Sequence, residues 1–102
     1  MFNFFKNLTG NQTIDFAELI QNGALILDVR TRAEYQGGHV AGSKNIPLNE
    51  LGSHVAKLQK SGKPVITCCA SGMRSGSAAS ILKRSGIEAY NGGPWTRVNA
   101  FV

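Results

Sequence analysis

The chain is short of cysteine, of acidic side chains and of long apolar runs, and each shortage removes a class of protein. Only two cysteines, Cys68 and Cys69, occur in 102 residues, so no disulfide framework organises the fold. They are neighbours, with Cα atoms about 3.8 Å apart across a trans peptide, short of the roughly 4.4–6.8 Å that a bridge spans. A reducing, cytoplasmic setting is expected. Nothing approaches the ~20 consecutive apolar residues of a membrane span. The opening stretch MFNFFKNLTGNQ also lacks the apolar core of about 7–15 residues that a signal peptide carries. Six acidic residues stand against eleven basic ones, a net charge of +5. The basic side chains run from Lys6 to Arg97 without a dense cluster or interleaved aromatics. That scatter argues against nucleic acid and for a small anion or an acidic partner.

A chain of 102 residues with 42% hydrophobic content supports one domain and one modest core. No repeat or low-complexity tract interrupts it, and strand-like stretches alternate with stretches of helical spacing, which predicts an α/β domain. Asp15 and Glu18 mark a helix start, with Phe16, Leu19 and Ile20 on one face and Gly23 as the stop. Ala24–Val29 reads as a central parallel strand. Thr31 and Glu34 form a second capping box for a short helix ending near Gly37 and Gly38. A loop from His39 to Pro47 encloses a very short strand at Lys44–Ile46. Asn49 is expected to cap a helix carrying Leu51, Val55 and Leu58, and Lys63–Cys68 is the second central strand. A helix follows from about Ser75 to Ser85, then a strand at Ile87–Tyr90. Gly92-Gly93-Pro94 reads as a turn before a terminal helix with Trp95, Val98 and Phe101. Parallel strands with helices on both faces are the predicted architecture. Residues 1–12, with Phe2, Phe4 and Phe5, are expected to form a loosely packed extension.

The two cysteines end the run VITCC, and CASGMRS follows immediately. In an open α/β sheet, ligands bind beyond the carboxyl ends of the strands, where Cys69 is expected to leave the sheet for a loop. If Ala70, Ser71, Gly72 and Met73 curl around its sulfur, backbone amides and a helix N-terminus favour thiolate over thiol. Such surroundings lower a thiol pKa from ~8.5 toward about 5–7. Arg74 closes the curl with a fork of donors suited to an oxyanion. The rival reading makes both cysteines small core hydrophobes and Arg74 a surface cation; the conjunction of strand end, Cys, Gly, Arg and helix start favours a site. Strand alternation points Cys68 the other way, into packing, with a resolving-thiol role as its alternative. Asp28 and Arg30 end the other central strand, where they are expected to orient Arg74 or meet an anion, or to form a structural ion pair. His39, between glycines, and His54, in a helical stretch, are read as structural. Ser71, Ser75 and Ser77 lack an evident base.

The stretch LDVRTRAEYQGGHVAGSKNIPL, then VITCCASGMRSGSAASILKRSGI and YNGGPW, resembles a single-domain rhodanese over about residues 14–95. Its specific parts are DVR at 28–30, GHVAG at 38–42 and CASGMRS at 69–75. The resemblance implies a rhodanese-like open parallel sheet, Cys69 as the sulfur-accepting nucleophile and Ala70, Ser71, Gly72, Met73 and Arg74 as the substrate-binding loop, with Asp28, Arg30 and Ser75 in support. It implies transfer of a sulfane sulfur from thiosulfate or another persulfide donor to cyanide or a thiol, with a protein sulfur carrier as a further acceptor, and no metal or organic cofactor. Two alternatives remain: phosphatase or arsenate-reductase-like chemistry on the same thiolate, and a non-catalytic protein-interaction module. Cys69 and Arg74 bracket four residues, the loop length of sulfur-transferring rhodaneses, one residue shorter than in phosphatases of the same fold. Pro94, inserted between the glycine pair and Trp95, and a short terminal helix depart from the family pattern.

Overall fold

The computed structural model describes residues 13–102; the expected N-terminal extension lies outside the described residues. Four parallel strands, β1 (Leu25–Asp28), β2 (Lys44–Asn45), β3 (Val65–Cys69) and β4 (Ala89–Pro94), pair in the order β2-β1-β3-β4. Around them run α1 (Phe16–Gln21), α2 (Arg32–Gln36), α3 (Val55–Ser61), α4 (Met73–Arg84) and α5 (Trp95–Asn99), with a 3-10 helix at Leu48–His54. The caps expected at Asp15 and at Thr31 with Glu34 are formed, so the chain turns into α1 and α2 where the side chains can satisfy the first free amides.

Strand alternation decides which side chains meet which helices. Leu27, Val29, Val65 and Cys69 join Leu51, Leu58, Ala78 and Leu82 in one layer. Ile26, Ile66 and Cys68 face the other way and pack with Phe16, Val40 and Val98. Helices therefore cover both faces, and all five residues of β3 are buried. Each large aliphatic side chain enclosed in this way contributes about 1.5–3 kcal/mol.

Three local expectations are corrected. Asn49 caps nothing: the 3-10 helix starts after Pro47 with no side-chain cap, and its three-residue period aligns Leu48 and Leu51 toward the core. Cys69 does not leave the sheet; it is the last residue of β3, and α4 begins at Met73 rather than Ser75. Gly92-Gly93-Pro94 is not a turn but the bulged end of β4. Thr67 pairs with Asn91 and Cys69 with Pro94, so two glycines lie opposite Cys68 alone. A Cβ at Gly92 would come within 2.6 Å of Val98 Cγ2 and 2.8 Å of the Thr67 carbonyl oxygen. Glycine lets β4 lie against β3 and α5 there, and the bulge aims Asn91 and Gly93 at the end of β3.

Candidate active site

The sulfur of Cys69 sits where β3 ends and α4 starts. Gly72 takes φ of 104°, left-handed backbone that reverses the chain within the short loop, and an added Cβ would press on Gly93 Cα at 3.4 Å. No side chain caps α4. The sulfur takes that place: Gly72 N–H donates to Cys69 Sγ at 3.0 Å and Ser75 N–H, in the first helical turn, at 3.3 Å. Ser75 Oγ lies 3.3 Å from the same sulfur. Burial is the largest influence and raises the thiol pKa. The Ser75 hydroxyl and the amides of Ser75, Gly72 and Ser71 together outweigh it and hold Cys69 below the ordinary thiol value. With the loop in this position Cys69 exposes no surface.

Its neighbour has the opposite surroundings. Cys68 lies among apolar side chains on the other face, and burial, reinforced by the negative charge of Asp28, pushes its pKa up to about 12.

Arg74 is held from a direction the sequence reading did not identify. Its two terminal nitrogens donate to the Glu34 carboxylate at 2.7 and 3.0 Å. The same carboxylate accepts the Thr31 backbone N–H at 3.0 Å and Thr31 Oγ1 at 3.1 Å. Arg74 first, then Thr31, hold Glu34 well below the usual carboxylate range, at about 2. Asp28 and Arg30 stand at the same end of the sheet but make none of Arg74's hydrogen bonds. Asp28 is fully buried and accepts the Arg30 guanidinium through Nε at 3.0 Å and Nη2 at 2.8 Å. Arg30 reaches on to the Gly38 carbonyl at 2.7 Å and lies over the Trp95 ring at 4.9 Å. Of the two readings the sequence left for this pair, the structure shows the ion pair, which ties the GHVAG loop to α5. Removing one partner of such a buried pair costs about 3–5 kcal/mol. His39 donates through Nδ1 to the Tyr35 carbonyl at 2.7 Å and stacks on the Tyr35 ring, contacts that anchor the loop.

Of the sequence-predicted residues, the structure gathers Gly72 and Ser75 at the sulfur and leaves the side chains of Ala70, Ser71 and Met73 on the outer surface. Two residues were missed. Glu34 was read only as a cap, although the capping box already fixed its carboxylate beside the end of β1. Asn91 gave no signal at all; its Oδ1 accepts from Ser75 Oγ at 2.7 Å and from Gly93 N–H at 2.9 Å, and its Nδ2 donates to the Gly72 carbonyl at 3.1 Å. Beside Arg74 a cavity of about 350 Å³ is lined by Val29, Thr31, Pro47, Leu48 and Asn49. A second one of about 360 Å³, bordered by Lys44, His54, Lys57 and Lys63, touches no residue of the cysteine loop.

Known proteins resemble this chain in sequence and in fold. The chain is 41% identical over 69 residues to the uncharacterized protein YqhL of Bacillus subtilis, covering 67% of this chain and 54% of that one. It is 32% identical over 84 residues to the thiosulfate sulfurtransferase GlpE of Pseudoalteromonas translucida, covering 82% and 77%. A solved structure described as a rhodanese with anions from E. coli superposes with a TM-score of 0.67 at 32% identity, covering 74% of this chain and 91% of that one. The chain thus spans about half the length of the Bacillus relative and most of the other two. Residues 13–94 match the rhodanese-like domain, and the chain belongs to that family.

Proposed function

We propose that this chain is a sulfurtransferase that carries a sulfane sulfur on Cys69. The observation that supports it most is a buried sulfur accepting two backbone N–H groups at the start of a helix, a setting that favours the nucleophilic thiolate. In the first half-reaction the Cys69 thiolate attacks the outer sulfur of thiosulfate. The sulfur–sulfur bond of the donor breaks, sulfite leaves with the bonding pair, and Cys69 carries a persulfide. In the second, cyanide or a thiolate attacks the outer sulfur, and Cys69 returns as thiolate; an organic or protein persulfide serves as donor by the same exchange. The amides of Gly72 and Ser75 that hold the thiolate also hold the terminal negative charge of the persulfide close to the helix N-terminus. Since Cys69 exposes no surface, a shift of the loop between it and α4 is required to admit the donor. The proposed setting is reducing and cytoplasmic; both cysteines are free. Among the described residues no helix is long and apolar enough to cross a membrane.

The test is mass spectrometry of the protein before and after thiosulfate, with and without cyanide. One added sulfur mass on the peptide carrying Cys69, discharged by cyanide with release of thiocyanate, is the expected result. No added sulfur from thiosulfate or from glutathione persulfide would reject the proposal.

A further inference from the structure

Ser75 has one hydroxyl proton and two claimants for it. Its oxygen lies 3.3 Å from Cys69 Sγ and 2.7 Å from Asn91 Oδ1, and the residue is fully buried. The orientation of Asn91 is fixed by groups that cannot exchange roles: Gly93 N–H can only donate to it, and the Gly72 carbonyl can only accept from it. The oxygen of Asn91 therefore faces Ser75 as an acceptor.

We infer that Asn91 is a positioning residue that sets how readily Cys69 ionises, by competing with the sulfur for the Ser75 proton. While Cys69 is a thiol, its S–H donates to Ser75 Oγ and the Ser75 hydroxyl donates to Asn91. When the thiol proton leaves to solvent, the Ser75 hydroxyl keeps its own proton, turns about the Cβ–Oγ bond and donates to the thiolate. Asn91, an exposed residue, then keeps only the Gly93 N–H among the protein donors to Oδ1. Each ionisation thus breaks the short Ser75–Asn91 bond, which restrains the fall in the Cys69 pKa. That restraint is useful to a nucleophile, because thiolate nucleophilicity falls with pKa and the best attacking thiol titrates near ambient pH. Through Nδ2, Asn91 also holds the Gly72 carbonyl, which belongs to the peptide unit after the one whose N–H points at the sulfur.

The other charges around this end of the sheet, Arg97 excepted, are already paired. Asp28 and Arg30 at the end of β1 neutralise each other, as do Glu34 of α2 and Arg74 of α4, and Arg32 holds Glu50 of the 3-10 helix. Cys68 is neutral, and Arg97 of α5 is the charge near the bulge: its Nη1 would lie 3.7 Å from a Cβ at Gly93.

This inference rests on Cys69 being the reactive thiol, but its readout is ionisation rather than sulfur transfer, so the two ideas fail separately. The rate of iodoacetamide labelling of Cys69 would be followed against pH by peptide mapping in wild type, Asn91→Leu, Asn91→Asp and each of these combined with Ser75→Ala. Asn91→Leu removes the competing acceptor and should lower the labelling midpoint by about half to one pH unit; Asn91→Asp should raise it by about one unit or more. In the Ser75→Ala background the Leu shift should vanish and the Asp rise should shrink to its direct charge effect. A midpoint that Asn91→Leu leaves in place or raises, or a shift that persists in full without the Ser75 hydroxyl, would overturn the inference. If circular dichroism shows Asn91→Leu unfolded, the Asp pair decides: a rise undiminished by Ser75→Ala rejects it.

Discussion

Cys68 and Cys69 are the same residue type, adjacent in one strand and equally hidden from solvent, yet their surroundings push them in opposite chemical directions. Cys68 faces Phe16, Ile26, Val40 and Val98, none of which can donate a hydrogen bond from its side chain. Cys69 points to the layer beneath α4, where the helix start supplies two amides and a hydroxyl. Burial alone therefore does not decide the state of a thiol. Both residues bear its cost, and only the one with donors in place overcomes it.

The comparison is broken most directly by removing each sulfur in turn. Cys69→Ala should lower thiosulfate-to-cyanide transfer at least about a thousandfold with the fold intact, since the other thiol, Cys68, faces the opposite layer. Cys68→Ala should leave transfer within about twofold and cost about 1 kcal/mol of stability, read by chemical denaturation, because only packing is lost. A loss of transfer in folded Cys68→Ala comparable to that in Cys69→Ala would contradict the assignment of roles.

Arg74→Ala should reduce thiosulfate turnover by about 10- to 1000-fold and Arg74→Lys by less, if the guanidinium leaves Glu34 to meet the donor anion. Unchanged turnover in both would assign Arg74 to structure, as the partner that Glu34 requires.

Labelling sharpens the same contrast without a substitution. With a pKa near 12, Cys68 is ionised to about one part in a million at pH 6, whereas a thiol held below its ordinary value retains a reactive fraction. Brief iodoacetamide treatment at that pH, followed by peptide mapping, should find the label on Cys69. Equal labelling of the two peptides would mean that the cradle does not select between them.

The smallest effect is expected at Glu34. Its folded pKa of about 2 lies under the ~4.3 of a free glutamate, so the stability it adds is complete above the unfolded value and is lost as pH falls through the folded one. Glu34→Gln should flatten the acid limb of the stability profile between about pH 4 and 2, modestly because the pair is screened by solvent. An unchanged acid limb in urea titrations at successive pH values would show that the Arg74 contact is not maintained in solution.

Much of this was legible because it is local. Period-two alternation along VITCC separates the two sulfurs whatever the rest of the chain does. Thr31 with Glu34 announces a helix start three residues apart, and Cys69, Gly72 and Arg74 lie within six residues of one another, so their spacing in sequence already constrains their spacing in the fold. The helix start at Met73 was misplaced because the cap is a sulfur from the preceding strand rather than a Ser, Asp or Asn at the usual position. The bulge was misread as a turn because Gly92-Gly93-Pro94 has turn chemistry, and only the proximity of Val98 and Thr67 shows why glycine is required in a strand.

The sequence by itself determined the order of strands and helices, the opposed faces of the two cysteines and the loop that curls at Cys69, since each follows from backbone periodicity and near-neighbour hydrogen bonds. The tertiary structure alone decided that Glu34 holds Arg74 across 40 residues and that Asn91 meets Ser75 across 16. Those contacts depend on strand order and on the register of β4 against β3, which a one-residue bulge resets. No local pattern encodes that register; it is fixed by how closely two backbones and a helix can pack around Gly92.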